Sequence, residues 1–388
     1  MANGERWNRD RAVKVRCRLL NKKGEEKKLL INCNLLRFMM TAKVRILNGM
    51  LFIILVALAG CNFSTGDQSS SENSAVKADD RKGSIEKIIF DTDVGGDVDD
   101  AGALAVLHAL ADRKEIEILA IGVVIGHEDA VPYVDAVNTW YGRPDLPIGT
   151  IKEHAPYARD EYMVPIVAEY PHTLTRETAP DVVKLYRKVL SSQPDSSVTL
   201  IVVGPATNIY NVLQSPPDDI SALTGVELVQ RKIRLYAAGG NGNGGLPQGR
   251  CGFNYYMDLE AASGELELMP ASIPMVYAGG SGDDLKIGSA LQDAKADHII
   301  RRSYEEYYDQ TARDRPTWDQ LRVFFGSKPE LHNLWDISSP GNITVGKDSI
   351  ISYTVQPDRN RSYAYVNDLK EMRERLTELM LYDPRKER

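Results

Sequence analysis

Short apolar runs alternate with stretches of helical periodicity along most of this chain. Ile88–Phe90 is an unbroken apolar run, and Ala101, Leu104, Ala105, Leu107 and Leu110 then recur at helical spacing. The pattern predicts a strand over 88–90 and a helix over 101–111. It repeats as a strand over 117–124 and a helix over 131–140, then a strand over 198–203 that breaks at Gly204-Pro205 into a helix over 208–213. A strand over 233–238 runs into the glycine-rich run 239–245. A helix over 261–268 and a strand over 273–278, ending at Gly279-Gly280, follow. Leu291–Arg315, charged and tyrosine-rich, is expected to be helical. Leu369, Met372, Leu376 and Met380 mark an amphipathic helix over 367–380. Strand, glycine turn and helix in this order predict an α/β fold, a mostly parallel central sheet with helices on both faces and a Rossmann-like core. Ligands of such sheets sit at the C-terminal strand ends, where each of these Gly- or Asp-rich loops falls.

The N-terminal region follows a different pattern. Residues 1–38 are basic and polar with no clear period, and read as a long leader or as upstream sequence wrongly included. Met39–Arg45 is a short basic segment, and Met50–Ala59 is an apolar run of ten. Ten apolar residues are too few for a membrane-spanning helix and suit a signal peptide over 39–60. Leu58-Ala59-Gly60-Cys61 resembles the lipobox of bacterial lipoproteins, which implies lipidation of Cys61 and a cell-envelope location through a lipid anchor. Residues 61–83 are rich in Ser, Asp and Lys, a composition expected of a disordered tether. The folded domain is expected over 84–388.

Composition narrows the function. Of the 388 residues, 43% are hydrophobic and 26% charged, the balance of an ordinary globular domain. A net charge of −7 argues against a nucleic-acid backbone as partner. The cysteines Cys17, Cys33, Cys61 and Cys251 form no C-x-x-C pair, which disfavours a zinc site or a disulfide framework.

The candidate chemistry lies directly after the first apolar run. Asp91, Asp93, Asp97, Asp99 and Asp100 are five carboxylates within ten positions, with Gly95-Gly96 among them. Like charges packed this closely raise one another's pKa. A hard divalent cation, Ca²⁺ or Mg²⁺, relieves that crowding. Helix capping alone accounts for one or two of these aspartates and leaves Asp91 and Asp93 unexplained.

The stretch 91–101 also resembles the N-terminal signature of the inosine/uridine-preferring nucleoside hydrolase family. Val203-Gly204-Pro205-Ala206-Thr207-Asn208 resembles the family's Gly-Pro-Leu-Thr-Asn turn. Phe253-Asn254-Tyr255-Tyr256-Met257-Asp258-Leu259-Glu260-Ala261-Ala262 resembles its Phe-Asn-x-x-x-Asp-Pro-Glu-Ala-Ala stretch, and Thr317-Trp318-Asp319 falls where the family carries His-Asp or Trp-Asp. The resemblance covers roughly residues 86–380. It implies a Ca²⁺-dependent hydrolase that cleaves the N-glycosidic bond of ribonucleosides to ribose and free base. Asp93 is implied as a Ca²⁺ ligand and as general base on the metal-bound water. Asp100, the Val203 carbonyl and Asp319 are implied as the other protein ligands, with Val203 and Asp319 at further strand ends. Asn254 is implied to bond a ribose hydroxyl. A homo-oligomer is compatible with this reading.

The chain departs from the family pattern at several points. Two extra residues lengthen the acidic loop, so Asp97 and Asp99 compete for the ribose-binding role, with Asp99 favoured because it adjoins Asp100. Gly126-His127 stands where Gly-Asn is usual, which makes His127 a candidate pocket residue. Gly252 replaces a glutamate, and Trp318 replaces a histidine that protonates the leaving base. Trp318 is expected to stack on the base. Two alternatives stay open: a non-catalytic nucleoside- or sugar-binding lipoprotein with a retained calcium pocket, and a phosphatase of the haloacid-dehalogenase type with Asp91 as nucleophile.

Overall fold

The structure, a computed structural model, describes residues 85–157, 162–240 and 248–386, together with the backbone of 14–20 and 26–32. The apolar run 50–59, Cys61, the expected tether over 61–83, and Asn241 and Asn243 of the glycine-rich run lie outside the described residues. The chain divides into two units, Met1–Asn73 and Ser74–Arg388. In the first, β1 (Lys14–Leu20) pairs antiparallel with β2 (Glu26–Asn32). No period was expected there, yet Val15, Cys17 and Leu19 alternate with Lys14, Arg16 and Arg18 as a strand requires.

The second unit runs β3 (Glu86–Thr92), α1 (Asp99–Asp112), β4 (Ile116–Val123), α2 (Ala130–Trp140), β5 (Ile148–Thr150), α3 (Met163–Glu169), α4 (Val182–Ser192) and β6 (Val198–Val202). It continues through α5 (Thr207–Gln214), α6 (Gly225–Lys232), β7 (Ile233–Ala237), β8 (Gly249–Arg250), α7 (Phe253–Met257), α8 (Leu259–Leu268) and β9 (Met275–Tyr277). The last part holds β10 (Lys286–Ile287), α9 (Ile299–Tyr307), β11 (Arg315–Pro316), α10 (Trp318–Ser327), β12 (Trp335–Ile337), β13 (Gly341–Val345), β14 (Ile350–Val355), β15 (Arg361–Val366) and α11 (Leu369–Met380).

The main sheet has the order β5-β4-β3-β6-β7-β9-β15-β13-β14-β8, with β12 beside β15. Pairing is parallel from β5 to β15 and antiparallel beyond it. β3 lies inside the parallel part, so its apolar run is covered on both faces. Ile88 and Phe90 enter the core formed with α1, α2 and α10, whereas Ile89 enters the core formed with α4, α5 and α8. The strand alternation thus splits one run between two cores, the consequence of helices on both faces. α1 is buried from Asp99 to Leu110, with α10 and α11 packed against it.

Three features differ from the sequence expectation. Leu291–Arg315 is not one helix. It contains the end of a 3-10 turn (Ser289–Asp293), then α9, and it reaches β11. Asp309 and Gln310 adopt left-handed backbone with φ of 53° and 89°, which ends the helix after Tyr307. The strands β12–β15 were not anticipated: β12–β14 mix buried and exposed positions, and β15 carries the buried polar residues Arg361 and Ser362 beside Tyr363 and Ala364. Asp319 sits in the first turn of α10 and not at a strand end. Among the described residues, no helix is long and apolar enough to cross a membrane.

Candidate active site

The acidic loop leaves β3 through Gly95, whose φ of 133° suits glycine and few other residues. It re-enters regular structure at α1, whose first turn carries Asp99 and Asp100. Carboxylates are favoured there by the free N–H groups of the helix start. Across from them, the first turn of α10 supplies Asp319. Oxygens of Asp99, Asp100 and Asp319 lie within 4.8 Å of one another, and all three residues are buried. Asp100 also accepts a hydrogen bond from Thr92 Oγ1.

Asp93 is half-buried, and its charge acts on Asp100 and Asp319. It packs on Gly204, where an added Cβ would stand 2.9 Å from the Asp93 Cβ. The glycine therefore lets the Gly204-Pro205 turn approach the acidic loop. Val203, just past β6, is tied to β3 by its N–H donating to the Asp91 carbonyl at 2.9 Å. The Val203 carbonyl accepts from the Asn254 side chain, which comes from the first turn of α7. Three separate segments thus meet at the end of β3.

A buried cation answers Asp319 from its own helix. Arg322 Nη1 donates to Asp319 Oδ1 at 2.6 Å, and both side chains are buried. The Arg322 guanidinium fits against Gly279, where a Cβ would come within 2.9 Å of Nη2. Burial first, then the nearby Asp97, pushes the Asp93 carboxyl up to about 7, with Arg322 pulling the other way. Burial and neighbouring carboxylates hold Asp99, Asp100 and Asp319 well above the ordinary range. Four crowded carboxylates against the Arg322 and Arg315 guanidiniums form a hard-oxygen donor set with excess negative charge. That set fits a divalent cation.

Asp97 and Asp99 are separated by their contacts. Asp97 is held by Arg315, whose Nε reaches both carboxylate oxygens at 2.8 and 3.1 Å while Nη2 pairs with Oδ2. Asp99 belongs to the trio, so it joins the candidate metal centre for which Asp93, Asp100, Val203 and Asp319 were expected. Trp318 precedes Asp319, packs on Gly282 and lies 5.5 Å below the Arg315 guanidinium. His127 Nδ1 accepts from the Asp129 N–H at 3.2 Å, a bond within its own turn. A recess of about 760 Å³ lies beyond that turn, lined by Glu128, Lys152, His172 and Arg176 among others, and no member of the trio lines it.

Asp91 has a different task. Its Oδ2 accepts from Tyr186 Oη at 2.6 Å and from Asn208 Nδ2 at 2.9 Å, and the residue is fully buried. It joins β3 to α4 and α5 beneath the site. Burial pushes its carboxyl up to about 7 despite those two hydrogen bonds. Sequence reasoning missed Tyr186, Arg315 and Arg322. Arg322 carried a readable signal, since it stands one helical turn after Asp319. Nothing local marked the other two.

A family model described as inosine-uridine preferring nucleoside hydrolase matches residues 88–325. This chain belongs to that family. Over 208 residues it is 29% identical to a pyrimidine-specific ribonucleoside hydrolase of Citrobacter koseri, a match covering 50% of this chain and 59% of the relative. A pyrimidine-specific ribonucleoside hydrolase of Klebsiella pneumoniae is 30% identical over the same length, again with 59% covered. The chain thus spans a little under three-fifths of the length of the curated relatives it matches. Among solved structures, an inosine-uridine preferring nucleoside hydrolase from Bacillus anthracis aligns with a TM-score of 0.56 and 17% identity, covering 78% of this chain and all of that one. A purine-preferring ribonucleoside hydrolase from Gardnerella vaginalis aligns with a TM-score of 0.54 and 18% identity, covering 76% of this chain and 98% of that one. These likenesses establish the family's α/β fold, and they agree with the mostly parallel sheet expected from the sequence.

Proposed function

We propose that this chain hydrolyses the N-glycosidic bond of ribonucleosides at the end of β3, releasing ribose and free base. The observation that carries the reading is the meeting of Asp93, Asp99, Asp100 and Asp319 beside Val203 and Asn254. Asp99, Asp100, Asp319 and Asp93 would hold a divalent cation that prefers hard oxygen donors, Ca²⁺ by the family resemblance. When bound, that cation supplies positive charge that acidifies water and orients it.

The protein's own groups supply the remaining steps. Asp93, raised toward neutrality and half-exposed, takes a proton from the attacking water. Clustered carboxylates beneath the sugar stabilise the positive charge of an oxocarbenium-like transition state. Asn254 bonds a ribose hydroxyl from the α7 side, and Trp318 offers an indole face to the base. Asp319 is kept in place by Arg322, and Asp100 by Thr92.

The test is a product assay with the full chain against purine and pyrimidine ribonucleosides. Free base should appear with Ca²⁺ and vanish with a chelator. Asp93→Ala should lose turnover by at least about 10²-fold, the usual contribution of a positioned base; retained turnover would remove Asp93 from that role. Trp318 keeps the non-catalytic binding reading in view, since an indole transfers no proton. Nucleoside binding by calorimetry without any turnover would favour it. The phosphatase reading loses support from Asp91, whose Oδ2 is engaged twice and whose side chain is buried. The order of basic segment, apolar run and Cys61 supports a lipid anchor at the cell envelope. Labelled palmitate incorporated by the native chain and lost in Cys61→Ala tests it.

A further inference from the structure

Cleavage of a nucleoside leaves an electron pair on a nitrogen of the departing base, and something must meet it. Trp318 offers only an indole N–H. Tyr307 and Tyr308 are phenols in the same cluster of side chains, but burial pushes both hydroxyls up, that of Tyr307 to about 12, which makes them weak donors at neutral pH. Arg322 is only 4% exposed, and its Nη1 is paired with Asp319.

Arg315 is placed otherwise. Its guanidinium lies between two rings, 5.6 Å from the centroid of Tyr307 and 5.5 Å from that of Trp318. Asp97 grips its Nε and Nη2 edge. The side chain is 28% exposed, and its charge acts on Asp99. We propose that Arg315 is the leaving-group contact of this site, oriented by Asp97 and by the Tyr307 and Trp318 rings. The inference rests on the nucleoside-hydrolase reading above.

Asp97 has a specific part in this arrangement. An unpaired guanidinium at this spot is drawn to Asp99 and Asp319, where it would fill the cation's place. The bidentate pair with Asp97 keeps it at the rim and fixes its plane. The two extra residues of the acidic loop supply the carboxylate that does so. Asp97 is therefore a positioning residue.

The step balances without a protein acid. The C1′–N bond breaks and its electron pair stays on the base nitrogen. The water oxygen bonds to C1′ and its proton passes to Asp93. The base nitrogen, stabilised by hydrogen bonding to the guanidinium, takes its proton from solvent water, and Asp93 returns its own proton to the hydroxide left in solvent.

The experiment compares two substrates of the Ca²⁺-loaded full chain. One is the best ribonucleoside of the panel. The other is p-nitrophenyl β-ribofuranoside, whose nitrophenolate departs unaided. Arg315→Ala should lower kcat/KM about 10²-fold on the nucleoside, the size expected for one charge-stabilising donor. On the nitrophenyl riboside it should stay within about threefold of the native chain. Equal losses on both substrates, or no loss on the nucleoside, would overturn the proposal. Should the alanine variant fail to fold, Arg315→Lys carries the same comparison: it keeps the charge without the fork, and a loss confined to the nucleoside supports the proposal while an equal loss overturns it. A native chain that cleaves the nitrophenyl riboside and no nucleoside also overturns it. A native chain that cleaves neither substrate sinks the hydrolase reading itself.

Discussion

Glu265 is fully buried on α8, behind the site. Tyr236 of β7 donates to its Oε1, and Tyr255 of α7 donates to its Oε2 at 3.2 Å. Burial, working against those two hydrogen bonds, pushes its carboxyl from 4.5 up to about 7. A raised acid binds its proton more tightly in the folded state than in the unfolded one. Its contribution is therefore most favourable below pH 4.5 and declines as the pH rises toward 7. At about 1.4 kcal/mol per pKa unit, the full swing is about 3 kcal/mol. Between pH 5 and pH 8 it is about 2–3 kcal/mol by the same linkage.

Glu265→Gln keeps the shape and removes the titration. Urea unfolding of native and variant chains at pH 5 and pH 8 gives two stability differences. The native chain should lose about 2–3 kcal/mol more than the variant between those pH values. The comparison cancels the slope from the acidic trio, which both chains share. It also cancels the buried Arg361, which stays charged at both pH values. Parallel pH curves would refute the reasoning, because they would show that Glu265 titrates alike in both states. The same variant reports on the site, since Tyr255 adjoins Asn254 on one turn of α7.

Removing the cation should destabilise the fold. A chelator is expected to remove up to about 4 kcal/mol where the metal is at a thousandfold excess over its Kd, read as a drop in Tm that added Ca²⁺ reverses. In chelator, stability should fall as pH rises above about 4, because Asp99, Asp100 and Asp319 hold protons in the folded state that the unfolded chain has released; a rise over that interval would contradict the crowding argument. Gly122→Ala would place a Cβ 1.9 Å from Tyr186 Oη and 2.5 Å from Asp91 Oδ2, so it should loosen the Asp91 clasp and destabilise by about 1–3 kcal/mol in urea unfolding. Arg187→Met removes a buried guanidinium that meets both Asp218 oxygens at 2.8 Å and Ser215 Oγ at 2.9 Å. A loss of about 3 kcal/mol is expected, and a shift under about 0.5 kcal/mol in the same assay would show that solvent replaces those bonds.

Much of this protein was readable along the chain. The apolar run 88–90, the acid-rich loop and the helix beyond it are local patterns, and local patterns report burial on two faces and helical spacing. They located the parallel sheet, the loop that carries the chemistry, and Asp93, Asp99 and Asp100 within it. They favoured Asp99 over Asp97 only by its place beside Asp100, because both are aspartates in one short loop. The separation came from partners far away in sequence: Arg315 takes Asp97, whereas Asp319 and Asp100 surround Asp99. The same holds for Asp91, whose place is explained by Tyr186 and Asn208. It holds also for the antiparallel strands β12–β14, whose part-exposed residues have little apolar period of their own. Sequence alone therefore determined the layers of the fold and which stretch is acidic. Tertiary structure decided which acids face one another, because charge pairing and burial depend on distances that only the packed chain sets.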